Sequence, residues 1–210
     1  MLTLYTAPGT SALAAHILLE EVGAAYTVVD VAGAQFDASA YRKITPKGRV
    51  PALLTPHGVI TENPAILEYI ATTHANAQYM PQGPMAQARA RELAGYLCTT
   101  VHVAVAHAKR GARWADAAAT HADFRAKAPR NMLACADYLE STLALDPWAL
   151  GRDCSFCDPY LFLMDHWCKA TGCDLSGHPR LTAHHAAMRA RPAVQRILAF
   201  YERLETSRII

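Results

Sequence analysis

Hydrophobic and polar positions in the first 75 residues follow two different periods. Leu13 and Ile17 belong to an apolar set with helical spacing, and His16, Glu20 and Glu21 lie on the opposite face of that helix. Runs rich in β-branched residues flank it and are typical of strands. The patterns predict, in chain order, a strand at 2–6, a helix around 13–22, a strand at 26–31, a hairpin at 53–61 and a helix at about 64–73.

The pattern becomes wholly helical after residue 84. Residues 77–84 contain Gln, Pro and Gly and are predicted to be a linker. Beyond them the helical patterns cover 85–110, 122–145, a segment from about 155, 181–190 and 193–204. The sequence therefore predicts an α/β domain over residues 1–76 and an all-α domain over residues 85–210.

Composition narrows the possible partners. The chain of 210 residues is 52% hydrophobic, which is enough to bury a substantial core. Its formal net charge is only +2 and its Lys and Arg residues are scattered, so neither a nucleic acid nor a membrane surface is expected as a partner. The N-terminus has no basic flank followed by an apolar stretch, and six cysteines fit a reducing compartment. We expect a cytoplasmic protein.

Pro51 lies in an apolar, strand-like run, GRVPALL at 48–54. Proline cannot donate to a sheet ladder, so it is rare in such a run. A cis bond between Val50 and Pro51 resolves the conflict, because cis-proline is typical of tight turns. Such a turn would present the N–H and C=O of Val50 to a ligand instead of a neighbouring strand.

The segment TENPAI at 61–66 is typical of a helix start. Asn63 is predicted to cap this helix and Pro64 to occupy its first turn. Backbone N–H groups at a helix start attract an anion, and the carboxylate of Glu62 attracts an ammonium group. With the turn at Val50, these groups predict a pocket for a small extended peptide that has a charged α-amino acid end.

Two segments carry a resemblance to a known family: TPKGRVPAL at 45–53 and LYTAPGTSAL at 4–13. Together with TENPAI, they resemble the glutathione S-transferases, most closely the bacterial beta class. The resemblance implies a thioredoxin-like N-terminal domain that binds glutathione as co-substrate, and an all-helical C-terminal domain that carries the second-substrate site. It also implies a homodimer. The order strand, helix, strand, hairpin, helix is that of a thioredoxin-like domain.

Ser11 occupies the position where the beta-class pattern has its cysteine. A hydroxyl there can donate a hydrogen bond to the glutathione sulfur, which favours the thiolate and lowers the thiol pKa. The alternative is an ordinary N-cap serine at the start of the first helix. Thr10 and Tyr5 are the other candidates, because related classes use Tyr or Ser in this region. Without a thiol at position 11, thiol exchange is disfavoured and thiolate attack on an electrophile remains possible.

The resemblance also implies the other binding residues. Val50 and Pro51 would contact the cysteinyl backbone of glutathione, while Glu62 and Asn63 would hold its γ-glutamyl end. The glycyl carboxylate would be bound by Gln35 or by a cation, either Lys47 or Arg49. His102 would face the active site from the helical domain.

A second marker of the family lies at residues 155–158, SFCD. The spacing of Ser155 and Asp158 fits a capping box, with Ser155 as the cap and Asp158 reaching back. This box is predicted to stabilise the start of a buried helix.

The cysteines do not predict a metal site. The Cys154-x-x-Cys157 pair has zinc-like or redox-like spacing, but the apolar helical pattern after it would hold it apart from the later cysteines, Cys168 and Cys173. We expect no metal. The histidines predicted to lie on the surface are His178, His184 and His185.

The sequence therefore predicts a glutathione transferase that activates the thiolate for attack on a small apolar electrophile. Two alternatives remain open. One is a non-catalytic glutathione-binding or interaction module of the same fold. The other is a glutathione-dependent isomerase or dehalogenase.

Overall fold

A computed structural model describes residues 1–33, 36–74 and 78–206. Its backbone contacts divide the chain into two units, Met1–Met80 with Arg189–Ile210, and Pro81–Met188. The predicted fold class is confirmed: a four-stranded α/β domain precedes a helical region. The last segment of the chain groups with the first unit, and the predicted limits of the linker stay a prediction. None of the described helices is long and apolar enough to cross a membrane.

The first unit contains one mixed sheet with strand order β2-β1-β3-β4. β1 is parallel to β2 and antiparallel to β3, with Leu4 opposite Val28 and Leu53. The strands are β1 (Leu2–Thr6), β2 (Tyr26–Asp30), β3 (Ala52–Thr55) and β4 (Gly58–Thr61). The helices are α1 (Ala12–Glu21), α2 (Ala38–Ile44), α3 (Asn63–Thr73) and α10 (Pro192–Thr206).

Helix α2 was not predicted from the sequence. It has only seven residues, and one of them, Tyr41, is buried. Its start is fixed by Asp37, whose carboxylate accepts hydrogen bonds from the N–H groups of Ser39 and Ala40. This is the usual geometry of an acidic N-cap.

The polar face predicted for α1 is covered by α10. His16 is only 2% exposed, and its Nδ1 lies 3.2 Å from the hydroxyl of Tyr201. That hydroxyl also lies 2.5 Å from Oγ1 of Thr6 in β1. The side chains of Tyr26 and Phe200 meet the imidazole ring edge to face. His16 is therefore a core residue whose Nδ1 is paired inside the unit.

Two carboxylates complete this helix contact. Glu20 pairs with Arg196 of α10 at 2.6 Å. Glu21 is mostly buried and receives Nε and Nη2 of Arg191 at 2.5 and 2.7 Å, together with the hydroxyl of Tyr79 at 2.7 Å. The polar side chains of α1 thus hold α10 and the residue before it, Arg191, against the α/β part of the first unit.

Over its described residues, the regular elements of the second unit are all helices. The helix predicted at 85–110 is interrupted by a π-turn at Leu97–Val101, where the N–H of His102 donates to the carbonyl of Leu97. Thr99 donates to the carbonyl of Gly95, a contact that bends helices. The helices are α4 (Pro84–Tyr96), α5 (His102–Arg110), α6 (Ala118–Thr142), α7 (Asp158–Leu161), α8 (Leu163–Thr171) and α9 (Pro179–Arg189).

Asp158 is completely buried in this unit. As predicted, it reaches back to Ser155, whose N–H lies 2.7 Å from Oδ2. The hydroxyl of Ser155 donates to the same carboxylate at 2.8 Å rather than capping the N–H of Asp158. Oδ1 accepts from the N–H of Ala149 at 2.7 Å and lies 2.9 Å from Nε2 of His184. The four contacts compensate for burying the charge.

The surface position predicted for the three histidines is wrong for two of them. His184 is buried because it pairs with Asp158, 26 residues away in sequence. His178 is buried with Nε2 at 2.9 Å from Asp137. His185 is half-buried, 3.5 Å from Asp165. Pairing of this kind depends on tertiary contacts and leaves no spacing signal in the sequence.

Burial makes the stability of the first unit depend on pH. It lowers the pKa of His16 from 6.5 to about 4, while the nearby charge of Glu20 opposes that change. The unfolded chain therefore binds a proton first as the pH falls, so stability is complete above about pH 6.5 and is lost between pH 6.5 and 4. From pH 7 to 5 we expect the free energy of unfolding to fall by about 2 kcal/mol through this residue.

Urea unfolding of His16→Gln checks this expectation, because glutamine can pair with Tyr201 but does not titrate. The variant should lose that part of the pH dependence, and His57→Gln, in the exposed β3–β4 turn, should retain it. An unchanged pH dependence in His16→Gln would exclude His16 as its source.

Candidate functional site

Three segments of the first unit carry the predicted glutathione-binding residues. They are the loop between β1 and α1, the turn before β3, and the start of α3. Each segment joins elements of the same sheet unit, so their positions are set by the strand ladder and by the packing of α1 against α3.

The predicted cis bond between Val50 and Pro51 is confirmed. The next residue, Ala52, enters the sheet opposite Tyr5 and Thr61. Among the described residues, neither the N–H nor the C=O of Val50 has a hydrogen-bond partner. The turn therefore leaves both groups without a partner in the described part of the chain, and their contact with a ligand stays a prediction.

Tyr41 supports this turn, although sequence reasoning missed it. Its hydroxyl donates to the carbonyl of Arg49 at 2.8 Å. Its ring packs against Tyr5, with ring centroids 5.1 Å apart, in a small core that also contains Ala52. Burial of the phenol raises the pKa of Tyr41 to about 12, so it remains a donor. The sequence did not indicate this role of Tyr41, because the helix that carries it, α2, was not predicted.

Glu62 is the residue before α3, and its backbone has φ 74°. This left-handed conformation is strained for a residue other than glycine, and such residues cluster at functional sites. The exposed carboxylate lies 2.6 Å from Nζ of Lys47, which also donates to Oγ1 of Thr61 at 2.9 Å. The sequence predicts Lys47 as one possible partner of the glycyl carboxylate; in this structure its ammonium group forms an ion pair with Glu62.

The prediction that Asn63 caps α3 is wrong. The helix begins at Asn63 itself, after Glu62, and no side chain caps it. The Asn63 side chain is turned inward, and the residue is 4% exposed. Its Nδ2 donates to the carbonyl of Ser11 at 2.8 Å, while Oδ1 has no partner among the described residues. The side chain therefore connects the start of α3 to the loop before α1.

Ser11 lies directly before α1 and is 6% exposed. Its side chain does not cap the helix, which argues against an ordinary N-cap serine, and its hydroxyl has no partner among the described residues. Thr10 differs, because its hydroxyl donates to the carbonyl of Ala7 at 2.6 Å. Tyr5 is buried in β1, against the ring of Tyr41. Of the two adjacent hydroxyl groups, that of Ser11 is the one whose proton is not donated to another described residue.

None of the described contacts places the other predicted residues beside Ser11, Val50 or Glu62. Arg49 is exposed, and Gln35 lies outside the described residues. His102 belongs to the second unit, where its ring stacks on Trp167 at 5.1 Å with an interplanar angle of 10°. Its predicted position beside the active site stays a prediction. Within residues 1–33, 36–74 and 78–206 no group of three or more side chains could hold a metal ion.

Comparison with known proteins agrees with this geometry. The family model described as the N-terminal domain of glutathione S-transferases matches residues 1–72. The glutathione S-transferase GstA of Escherichia coli O157:H7 is 28% identical over 201 residues, which are 93% of this chain and 96% of the relative.

Two solved structures extend the likeness. A glutathione transferase homologue from Sulfitobacter, with bound glutathione, is 39% identical, with a TM-score of 0.87 over 95% of this chain and 97% of that one. The bacterial beta-class glutathione S-transferase of Sphingomonas chungbukensis is 29% identical, with a TM-score of 0.77 over 95% and 98%. Because the 39% identity to the first of these structures extends over nearly the whole of both chains, the chain belongs to the glutathione S-transferase family of enzymes.

Proposed function

We propose that the protein binds glutathione across its first unit and that Ser11 stabilises the bound thiolate for attack on a small apolar electrophile. The observation that carries this proposal is the hydroxyl of Ser11, a residue only 6% exposed, which neither caps α1 nor has another partner among the described residues. A donor of this kind, placed at a helix start, favours a negatively charged sulfur.

The chemistry follows from stabilising the charged form of the thiol. Glutathione loses its thiol proton to solvent, and the hydroxyl of Ser11 donates to the sulfur. The thiolate then forms a carbon–sulfur bond with the electrophile, whose leaving group departs with the electron pair of the broken bond. Serine itself forms no bond to sulfur, so the mixed disulfide available to a cysteine at this position is excluded.

Three residues support the proposed orientation of glutathione. The N–H and C=O of Val50 match the backbone of an extended cysteinyl residue, which supplies one acceptor and one donor. The carboxylate of Glu62 matches the γ-glutamyl ammonium. In this structure, the ammonium group of Lys47 pairs with the Glu62 carboxylate. When glutathione binds, Lys47 would leave Glu62 and pair with a carboxylate of the ligand.

We further propose a homodimer formed through the second unit. Met85 of α4 and Leu133 and Tyr138 of α6 are large apolar side chains that are exposed. Tyr96 of α4 packs on Tyr138, with ring centroids 4.7 Å apart, which continues the patch between the two helices. Exposed patches of this kind often mark protein interfaces.

Sedimentation of the wild-type chain should show a dimer, and Leu133→Glu should shift it toward monomer because a charge is buried in the interface. Glu205→Gln, on α10, should leave the mass unchanged. A wild-type monomer at high protein concentration would contradict the dimer.

Glu62→Gln should weaken glutathione binding while the fold is retained. A hydrogen bond to a charged group contributes roughly 1.5–3 kcal/mol, so we expect the Kd to rise on the order of tenfold. Titration calorimetry measures it, with Glu205→Gln as the matched control. Unchanged affinity in Glu62→Gln would mean that Glu62 only precedes the helix.

Ser11→Ala should lower turnover more than it weakens binding. The ultraviolet absorbance of the thiolate reports the pKa of bound glutathione, which should rise toward the value of a free thiol, about 8.5. Thr10→Ala should change it less, because the proton of that hydroxyl is committed to Ala7. If Thr10→Ala or Tyr5→Phe raises the pKa and Ser11→Ala does not, the catalytic role belongs to that residue.

A conjugation assay run beside a glutathione-affinity column separates the enzyme from a binding module. Retention on the column with turnover of an aromatic electrophile is the expected result. Retention without turnover of any electrophile tested would replace the enzymatic proposal with a binding function.

A further inference from the structure

Ser11 has an unusual conformation for a residue that precedes a helix. An ordinary N-cap residue is extended, and its side chain accepts from an N–H of the first turn. Asp37 does this in the same chain, with φ −83° and ψ 99° and two accepted hydrogen bonds. Ser11 instead has φ −67° and ψ −6°, in the helical region, and accepts none. Its hydroxyl is kept from capping by its own backbone.

The carbonyl of Ser11 is held from two directions. It accepts from the N–H of Ala14 at 3.2 Å and from Nδ2 of Asn63 at 2.8 Å. These two bonds fix the Ser11 backbone relative to the first turn of α1 and to the start of α3. The bond to Ala14 lies within the first turn of α1, whereas the bond to Asn63 comes from another element and connects the loop to α3.

The Asn63 amide has an orientation that favours this one contact. The group that faces a carbonyl oxygen must be the N–H₂ side, so Oδ1 points elsewhere and remains without a partner among the described residues. Leaving a buried acceptor unpaired is destabilising. A side chain that served only to fill this space would not need the amide.

We propose that Asn63 is a positioning residue: its hydrogen bond to the Ser11 carbonyl holds the serine backbone in place against the start of α3 and so keeps the hydroxyl directed to the glutathione sulfur. This inference rests on the proposed role of Ser11 as the donor to the thiolate. Asn63 follows Glu62 directly, so one side chain connects the segment proposed to hold the γ-glutamyl end with the group proposed to act on the thiol.

The test is a double-mutant cycle on the pKa of bound glutathione. Asn63→Ala removes the donor without adding charge, and it should raise this pKa so that at least tenfold less thiolate is present near neutral pH. In a Ser11→Ala background the same substitution should have no further effect, because there is no hydroxyl left to misplace. Turnover should fall more than glutathione affinity in the single variant.

Asn63→Ser serves as the second variant if the alanine fails to fold, since its hydroxyl is too short to span the distance to the Ser11 carbonyl. Asn131→Ala, at an exposed position of α6, is the matched control and should leave the pKa unchanged.

The outcomes separate the two proposals. An equal rise in both backgrounds, or no rise in the wild-type background, overturns the role of Asn63 while Ser11 keeps its own. If Ser11→Ala alone leaves the pKa unchanged, the proposed role of Ser11 fails, and the inference about Asn63 fails with it.

Discussion

Buried polar groups need hydrogen-bond partners, and this constraint determines both the scaffold and the site of the protein. At Asp158 the constraint is met by four contacts, which order the segment before α7. At His16 it is met by the hydroxyl of Tyr201. Two buried side-chain atoms, Oδ1 of Asn63 and Nδ1 of His178, lack partners among the described residues. At the candidate site the unpaired atom belongs to the side chain whose Nδ2 donates to the carbonyl of Ser11.

Much of the first unit was predictable because its signals are local. Strand and helix periods gave the order of its main elements, and the proline at position 51 led to the confirmed cis bond. Helix α2 was missed because it is short and buries one residue. The cap at Asn63 was predicted wrongly because the positive φ of Glu62 shifts the start of the helix by one residue.

The site needed tertiary structure for its remaining details. The ion pair of Lys47 with Glu62 joins residues 15 positions apart, and the bond of Asn63 to Ser11 joins residues 52 apart. The burial of His184 likewise follows from one distant carboxylate. Such contacts have no periodic pattern in the sequence. Residue type alone therefore could not show whether Asn63 caps α3 or bonds to a distant loop, or whether His184 is exposed or buried.

The central claim is that the protein binds glutathione as a thiolate at neutral pH. Titration calorimetry at pH 7, in buffers with different ionisation enthalpies, counts the protons released when glutathione binds the wild-type protein. A free thiol has a pKa of about 8.5 and is mostly protonated at this pH, so the account predicts release of most of one proton per glutathione. S-methylglutathione has no thiol proton, so its binding should release no proton from the sulfur. Equal proton release for the two ligands would contradict the claim.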